Sequence, residues 1–381
     1  MNYITIKLPP ECHQMTLDEL LFGGEAIINR IANSHKDITT TRTYEFPYVS
    51  ARIRNRVSVT HLINKLTEFN EEVEPLRQKP RKQLYREFHI PKKSGGLRKI
   101  DAPNDELKEA LRKLKKIFEE DFGALYHTSA FAYIKGRRTL DAVKRHQTNE
   151  SKWFGKYDLS NFFGSTTLEY TMKILSTIFP FSIVCNSAEG ERQLERALEL
   201  AFLDGGLPQG TPISPLITNL IMIPVDYKLY NQFRDWEGQR YVYTRYADDF
   251  LVSSKYAFDH KKAEKLIVDT LAEFGAPFTI NSAKTRYGSS SGRNWNLGVM
   301  LTKDNEITVG HKAKKYFQAM LHNFITDAEN GIEWELHDIQ TLAGYHSYYR
   351  SVEGETIDKI IKHVDEKHGV NVMEMIKDRL R

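Results

Sequence analysis

Two adjacent aspartates interrupt a run of strand-forming residues. Tyr241-Val242-Tyr243-Thr244-Arg245-Tyr246 leads into Ala247-Asp248-Asp249, and Phe250-Leu251-Val252 follows. β-Branched and aromatic residues favour extended backbone, whereas paired carboxylates resist burial unless something cationic holds them, so the chain should reverse at the acids. The pattern predicts a β-hairpin with both acids near its tip. Such a tip is either a solvated turn, because Asp is common in turns for local reasons, or a holder for a hard divalent cation, which takes carboxylate oxygens. The tetrapeptide alone leaves both readings open.

The chain has 381 residues, enough for a large core and two or three domains. Hydrophobic residues at 40% and charged residues at 27% describe a soluble globular protein. The longest apolar run, Leu216 to Val225, is broken by Thr218 and Asn219 and is too short to span a bilayer. No basic segment leads into an apolar one at the start, and Cys12 and Cys185 make no disulfide framework or thiolate site, so a cytoplasmic protein without membrane attachment is expected. The net charge of +4 is unevenly spread: Arg77, Lys79, Arg81, Lys82, Arg86, Lys92, Lys93, Arg98 and Lys99 face the single acid Glu87. With Tyr85, Phe88 and His89 interleaved, this segment suits a nucleic-acid backbone or a triphosphate, or is a solvated loop.

Residues 1–75 read as an N-terminal extension that ends in an amphipathic helix bearing Val59, Leu62, Ile63 and Leu66. Ser94-Gly95-Gly96 predicts a hairpin turn between Phe88-His89-Ile90 and Leu97-Arg98-Lys99-Ile100. A helix capped by Asn104 should follow, with Leu107, Leu111, Leu114 and Phe118 on one face. Pro215 to Tyr230 reads as one buried helix, and Ala313 to Ile325 as another that stops near Asn330-Gly331. Two further helices, Leu336 to Arg350 and Thr356 to His368, complete a small C-terminal unit.

Paired metals for phosphoryl transfer need more ligands than one hairpin supplies. Asp158 is the third acid, at the end of the strand Trp153 to Leu159. An acid-ended strand, then the glycine-rich loop Gly205-Gly206-Leu207-Pro208-Gln209-Gly210, then an Asp-Asp hairpin, is a rare order. With Ile90 to Ile100, Tyr157-Asp158 through Phe163, Gly206 to Pro215, Arg245 to Asp249, Asn281-Ser282-Ala283-Lys284-Thr285 and Asn296-Leu297-Gly298, it resembles the reverse transcriptase family over residues 85–300.

The resemblance implies an α+β, right-hand polymerase: fingers and palm over 76–300, with an antiparallel palm sheet flanked by helices, and a helical thumb over 301–381. It implies an RNA-directed DNA polymerase that extends a primer 3′-hydroxyl with deoxynucleoside triphosphates. Asp158, Asp248 and Asp249 would be its catalytic acids, holding two Mg²⁺ ions, or Mn²⁺, with the backbone carbonyl of Leu159 as an extra ligand. Lys92, Lys93 and above all Arg98 would grip the triphosphate, because a guanidinium fork matches phosphate oxygens. Lys284 would neutralise or protonate pyrophosphate, Gln209 would contact the incoming nucleotide, and Tyr246 and Gly210 would approach primer and template. Phe163 would sit under the sugar and exclude a 2′-hydroxyl, selecting DNA synthesis; an ordinary core phenylalanine is the bland reading, and it fits Phe162 beside it.

The glycine loop keeps Gln209-Gly210 and Ser214-Pro215, which disfavours the diversity-generating branch, and the length leaves no room for nuclease or integrase modules. A compact bacterial enzyme is expected, retron-like or from a phage-defence group, with a template RNA, either a dedicated structured one or another, and a DNA product as partners. An effector protein and the oligomeric state are left open. A non-templated or RNA-synthesising palm polymerase and a catalytically silent RNA-binding relative are the alternatives.

Overall fold

In the computed structural model of the chain, residues 59–92, 95–121, 126–290 and 298–381 are described. Most of the N-terminal extension, with Lys93, Ser94, Asn296 and Leu297, lies outside them. Helix α1 (Val59–Glu72) buries Leu62, Leu66 and Phe69 in the same core as Tyr157, Tyr243 and Phe250 of the central sheet. Its Asn70 amide donates to Gln193 Oε1 at 2.7 Å, which ties it to a later helix (Ala188–Glu199).

Strands β1 (Tyr85–Pro91) and β2 (Leu97–Pro103) form an isolated antiparallel hairpin in register from Tyr85↔Pro103 to Pro91↔Leu97. Gly95 and Gly96 close it with φ of +86° and +78°, the left-handed conformation that glycine adopts without steric cost. The predicted cap is present: Asn104 Oδ1 accepts from the Leu107 amide at 2.9 Å, opening helix α2 (Asp105–Asp121). Leu107, Leu111, Leu114 and Phe118 are buried along its inner face.

The central sheet has β3 (Trp153–Asp158), β4 (Val242–Tyr246), β5 (Asp249–Ser254) and β6 (Arg286–Ser289), in the order β4-β5-β3-β6 and antiparallel throughout. The buried helix expected over 215–230 is two helices, α3 (Ser214–Ile221) and α4 (Ile223–Arg234), which meet at Met222. Pro224 accounts for the break, since it lacks an N–H and its ring crowds the carbonyl four residues back.

The C-terminal unit has its own core of Phe317, Leu321, Phe324, Ile325, Leu342, Ile357 and Val364. Helix α5 (His311–Glu329) ends at Asn330 ahead of Gly331 (φ +74°), as the sequence predicts. The two helices expected after it are present, joined end to end as α6 (Leu336–His368) across a non-helical residue, Glu353 (φ −142°, ψ 66°), which falls in the gap between the two predicted ranges. The Glu353 carboxylate accepts from Thr308 Oγ1 at 3.0 Å, the Val309 amide at 3.1 Å and Lys314 Nζ at 3.0 Å, so the kink is bonded rather than broken. Among the described residues no helix is long and apolar enough to cross a membrane.

Candidate active site

The three acids stand at one end of the central sheet, two on its last rung and one in the adjoining turn. Asp158, the last residue of β3, stands opposite Asp249, the first of β5, and the Leu159 amide donates to the Asp248 carbonyl at 3.0 Å. Ala247 and Asp248 form the two-residue turn between Tyr246 and Asp249, with Ala247 at φ +56°. A left-handed alanine costs energy and persists only where its surroundings fix it.

Arg245 does that fixing. Its side chain is fully buried, its Nε and Nη2 grip Asp226 of α4 at 2.8 and 2.7 Å, and its Nη1 donates to Asn219 Oδ1 at 3.1 Å and to the Ala247 carbonyl at 3.0 Å. Tyr243 Oη donates to the same Asp226 carboxylate at 2.7 Å. Burial alone would push the Arg245 pKa down, but Asp226 overrides it and raises it, so the guanidinium stays charged. The turn that presents the acids is braced from inside the protein.

Two lysines reach the acids from the other side. Lys156, two residues before Asp158 and so on the same face of β3, places Nζ 2.7 Å from Asp249 Oδ2. Backbone bonds from Ser160 N to Thr279 O (2.8 Å) and from Asn281 N to Asp158 O (2.7 Å) align the following segment, and the turn after Asn281 returns Lys284 Nζ to 2.8 Å from Asp158 Oδ1. Asp248 is without such a lysine, and its pKa rises to about 6 through burial and then the charges of Asp249 and Asp158. Asp249 is also raised, chiefly by burial, with Lys156 opposing. The Asp158 hydrogen bond raises Lys284.

Among the described residues no three acidic or histidine side chains converge as a ready-made metal cluster. The donor chemistry nevertheless fits a hard divalent cation: the set is all oxygen, and the acids crowd one another enough to penalise Asp248. Positive charge is what this rung lacks, and the two ammonium groups supply part of it.

The glycine-rich loop packs onto this rung. The Leu207 amide donates to the Phe163 carbonyl at 3.0 Å, and a Cβ on Gly206 would fall 2.2 Å from the Gly164 carbonyl oxygen, so only glycine fits there. Phe162 is a core residue packed edge-on against Phe278, whereas Phe163 is half-buried and packs against the same core. The Gln209 carbonyl accepts from the Asp101 amide of β2 at 2.9 Å, and Gly210, at φ +117°, sits against Ile100, where a Cβ would approach Cγ2 to 2.9 Å. The loop thus joins the β1–β2 hairpin to the acid-bearing sheet.

The basic segment divides in two. Arg81 donates to the carbonyls of Glu199, Leu200 and Phe202 at 2.7, 3.1 and 2.7 Å, Arg77 lies 3.5 Å from the Glu199 carboxylate, and Lys99 pairs with Glu87 and Asp101 at 3.1 and 3.2 Å. These cations serve the fold. Arg98 and Lys92 are exposed and have no ion-pair partner among the described residues, while Arg86 lies over the Phe88 ring at 5.5 Å. Tyr246, opposite Asp249, is half-buried.

The family signature described as "Reverse transcriptase (RNA-dependent DNA polymerase)" matches residues 90–311. The chain belongs to the reverse transcriptase family. It is similar to the retron Ec73 reverse transcriptase of Escherichia coli, 30% identical over 286 residues that cover 72% of this chain and 85% of the relative. The retron Ec83 reverse transcriptase of Escherichia coli is 27% identical over 299 residues, covering 77% and 89%. Among solved structures, telomerase from Candida albicans, in complex with a fragment of telomeric RNA, matches with a TM-score of 0.43 and 11% identity, covering 90% of this chain and 68% of that one. The protein is a retron-type, RNA-directed DNA polymerase with the family's right-hand polymerase fold, and that family generally works with divalent metal ions.

Several residues of this reverse transcriptase's site escaped the sequence reading. Asp226 and Lys156 had signals: an acid inside the apolar stretch Ile223-Pro224-Val225-Asp226-Tyr227, and a lysine one strand period before Asp158. Tyr348 of α6 had none. Its hydroxyl lies 3.8 Å from where a Gly298 Cβ would stand, and its pKa is raised by burial and then by Tyr246, which brings the C-terminal unit up to the acid hairpin.

Proposed function

We propose that Asp158, Asp248 and Asp249 are the catalytic acids and hold two Mg²⁺ ions, for which Mn²⁺ can substitute, with the Leu159 carbonyl assisting. When bound, such ions lower the pKa of an attacking hydroxyl and neutralise a departing pyrophosphate. The chain's own part is positioning. Arg98, with Lys92 and Lys93, grips the triphosphate; Gln209 contacts the incoming nucleotide; Phe163 closes the space that a 2′-hydroxyl would need. Gly210 and Tyr246 border the template and the primer end, and Lys284 neutralises charge as pyrophosphate departs. Fingers and palm span 76–300 and the thumb 301–381. The reaction extends a primer 3′-hydroxyl with deoxynucleotides on an RNA template, within a bacterial retroelement or an anti-phage system; a dedicated structured RNA is one candidate for that template.

The observation that carries this reading is the register Asp158↔Asp249 with the Asp248 carbonyl bonded to the Leu159 amide, which brings the third acid, in the turn, next to the rung that holds the other two. The test is extension of a DNA primer on RNA with Mg²⁺ or Mn²⁺, beside sequencing of nucleic acid that copurifies with the protein. Asp248→Asn should lose incorporation by about 10³-fold or more while RNA binding persists. Wild-type incorporation by that variant would sink the assignment.

A further inference from the structure

Tyr133 is 58% exposed and adopts φ +58°. A bulky residue in the left-handed region is strained, and an exposed ring gains no burial in return, so other bonds must hold it there. They lie on both sides of it. The Arg245 amide donates to Ser129 O at 2.7 Å and the Phe131 amide to Arg245 O at 2.9 Å, which lays this segment along β4. Asn219 Nδ2 donates to the Ala132 carbonyl at 2.8 Å. Arg137 then staples the loop, donating to the carbonyls of His127, Ala130 and Tyr126 at 2.5, 2.6 and 3.2 Å. Arg245 and Asn219 also brace the acid hairpin, so both features are set by one buried network.

Tyr133 follows two residues after the Phe131–Arg245 backbone bond, which places it beside β4 and the acid hairpin. Its hydroxyl titrates above the ordinary phenol value, because of partial burial and then the charges of Asp248 and Tyr246, with Arg98 opposing. It is therefore neutral at physiological pH and within electrostatic reach of the acid turn, the residue opposite Asp249, and the exposed arginine of β2. Phosphate oxygens are already served by Arg98 and Lys92. A neutral aromatic face suits a nucleobase, and stacking tolerates all four because each has a π-face.

We propose that Tyr133 is a positioning residue whose ring supports the base pair formed between the template and the incoming deoxynucleotide. The assignment rests on the reading of Asp248 and Arg98 given above. The experiment compares the full-length protein with Tyr133→Gly, Tyr133→Phe and Asp248→Asn in single-nucleotide extension of a DNA primer on RNA. Glycine accepts the left-handed backbone, so that variant removes the ring without adding strain.

Tyr133→Gly should raise KM for each of the four complementary deoxynucleotides about tenfold or more, with kcat within about twofold and no fall in Tm. Tyr133→Phe should restore KM to within about twofold of the parent. An unchanged KM in Tyr133→Gly would overturn the proposal, as would an equal loss in the Phe and Gly variants, which would put the effect on the hydroxyl. Full activity in Asp248→Asn would instead overturn the underlying site, whatever Tyr133 does.

Discussion

Hairpin β4–β5 keeps Arg245 at 1% exposure and bonds its guanidinium to Asp226, Asn219 and the turn itself, whereas hairpin β1–β2 leaves every residue from Arg86 to Lys92 exposed. Both are antiparallel ladders with a tight reversal, so local strand chemistry does not distinguish them. Their different support reflects different work. Acids that must act together need fixed separations, which a buried and fully bonded bracket provides. Cations that seize a ligand from solution need access, and a hairpin with few buried contacts costs little to displace. The glycine loop meets β2 through the Asp101–Gln209 backbone bond and the Gly210–Ile100 contact.

The comparison breaks most visibly if the bracket is cut. Asp226→Ala leaves a fully buried guanidinium without its carboxylate, and the expected loss is about 3–5 kcal/mol in urea unfolding. A loss under about 1 kcal/mol would mean that the network does not hold the hairpin.

Acid should attack the same hairpin next. His146 is buried between Ser253 Oγ (2.6 Å) of β5 and Thr244 Oγ1 (2.8 Å) of β4, and burial, reinforced by Arg145, depresses its pKa to about 3. His127 is depressed to about 4, again mainly by burial. Between those values and the ordinary 6.5 the unfolded chain binds protons that the folded one does not, so stability is full above 6.5 and falls as the pH drops toward 3. The urea midpoint should decline through that window, and a His146→Gln variant should decline less steeply.

On the exposed hairpin the balance reverses, with ligand affected and fold spared. Arg98→Ala should raise KM for deoxynucleotides about 10- to 100-fold with the unfolding midpoint unmoved. A matching loss of stability would assign Arg98 to the fold, as with Arg81. The smallest effect belongs to Glu87→Ala, which removes one partner of the exposed Lys99 pair and should leave both the midpoint and KM unchanged within error.

Much of this was legible because the information was local. Asp248 and Asp249 declare a reversal by standing among strand formers, Asn104 declares a helix start, and Asn330-Gly331 declares a stop; the ladder and the caps lie where those residues put them. Asp158 follows from the further ligand that the pair lacks. What stayed hidden was long-range or a matter of degree. The Asp226–Arg245 bracket joins residues 19 positions apart, and nothing in either segment names the other. The break at Met222 needed Pro224 to outweigh an apolar run, and the kink of α6 needed Glu353 to find three donors 39 to 45 residues back in the chain. Tyr133 lacks any motif because its position depends on Arg137 and Asn219 folding over it.

Lys156 and Lys284 have a consequence for the order in which this enzyme becomes itself. The sheet that gathers the carboxylates, with the turn after Asn281, also carries ammonium groups to Asp249 and Asp158, so part of the mutual repulsion is quenched by the polypeptide's own counter-ions. Maturation therefore has two independent steps, acquiring a shape and acquiring charge partners from the surrounding fluid. A chelator should leave the parent protein's melting curve in place, while the double substitution Lys156→Met and Lys284→Met should make the curve depend on divalent ions, binding assembly to supply.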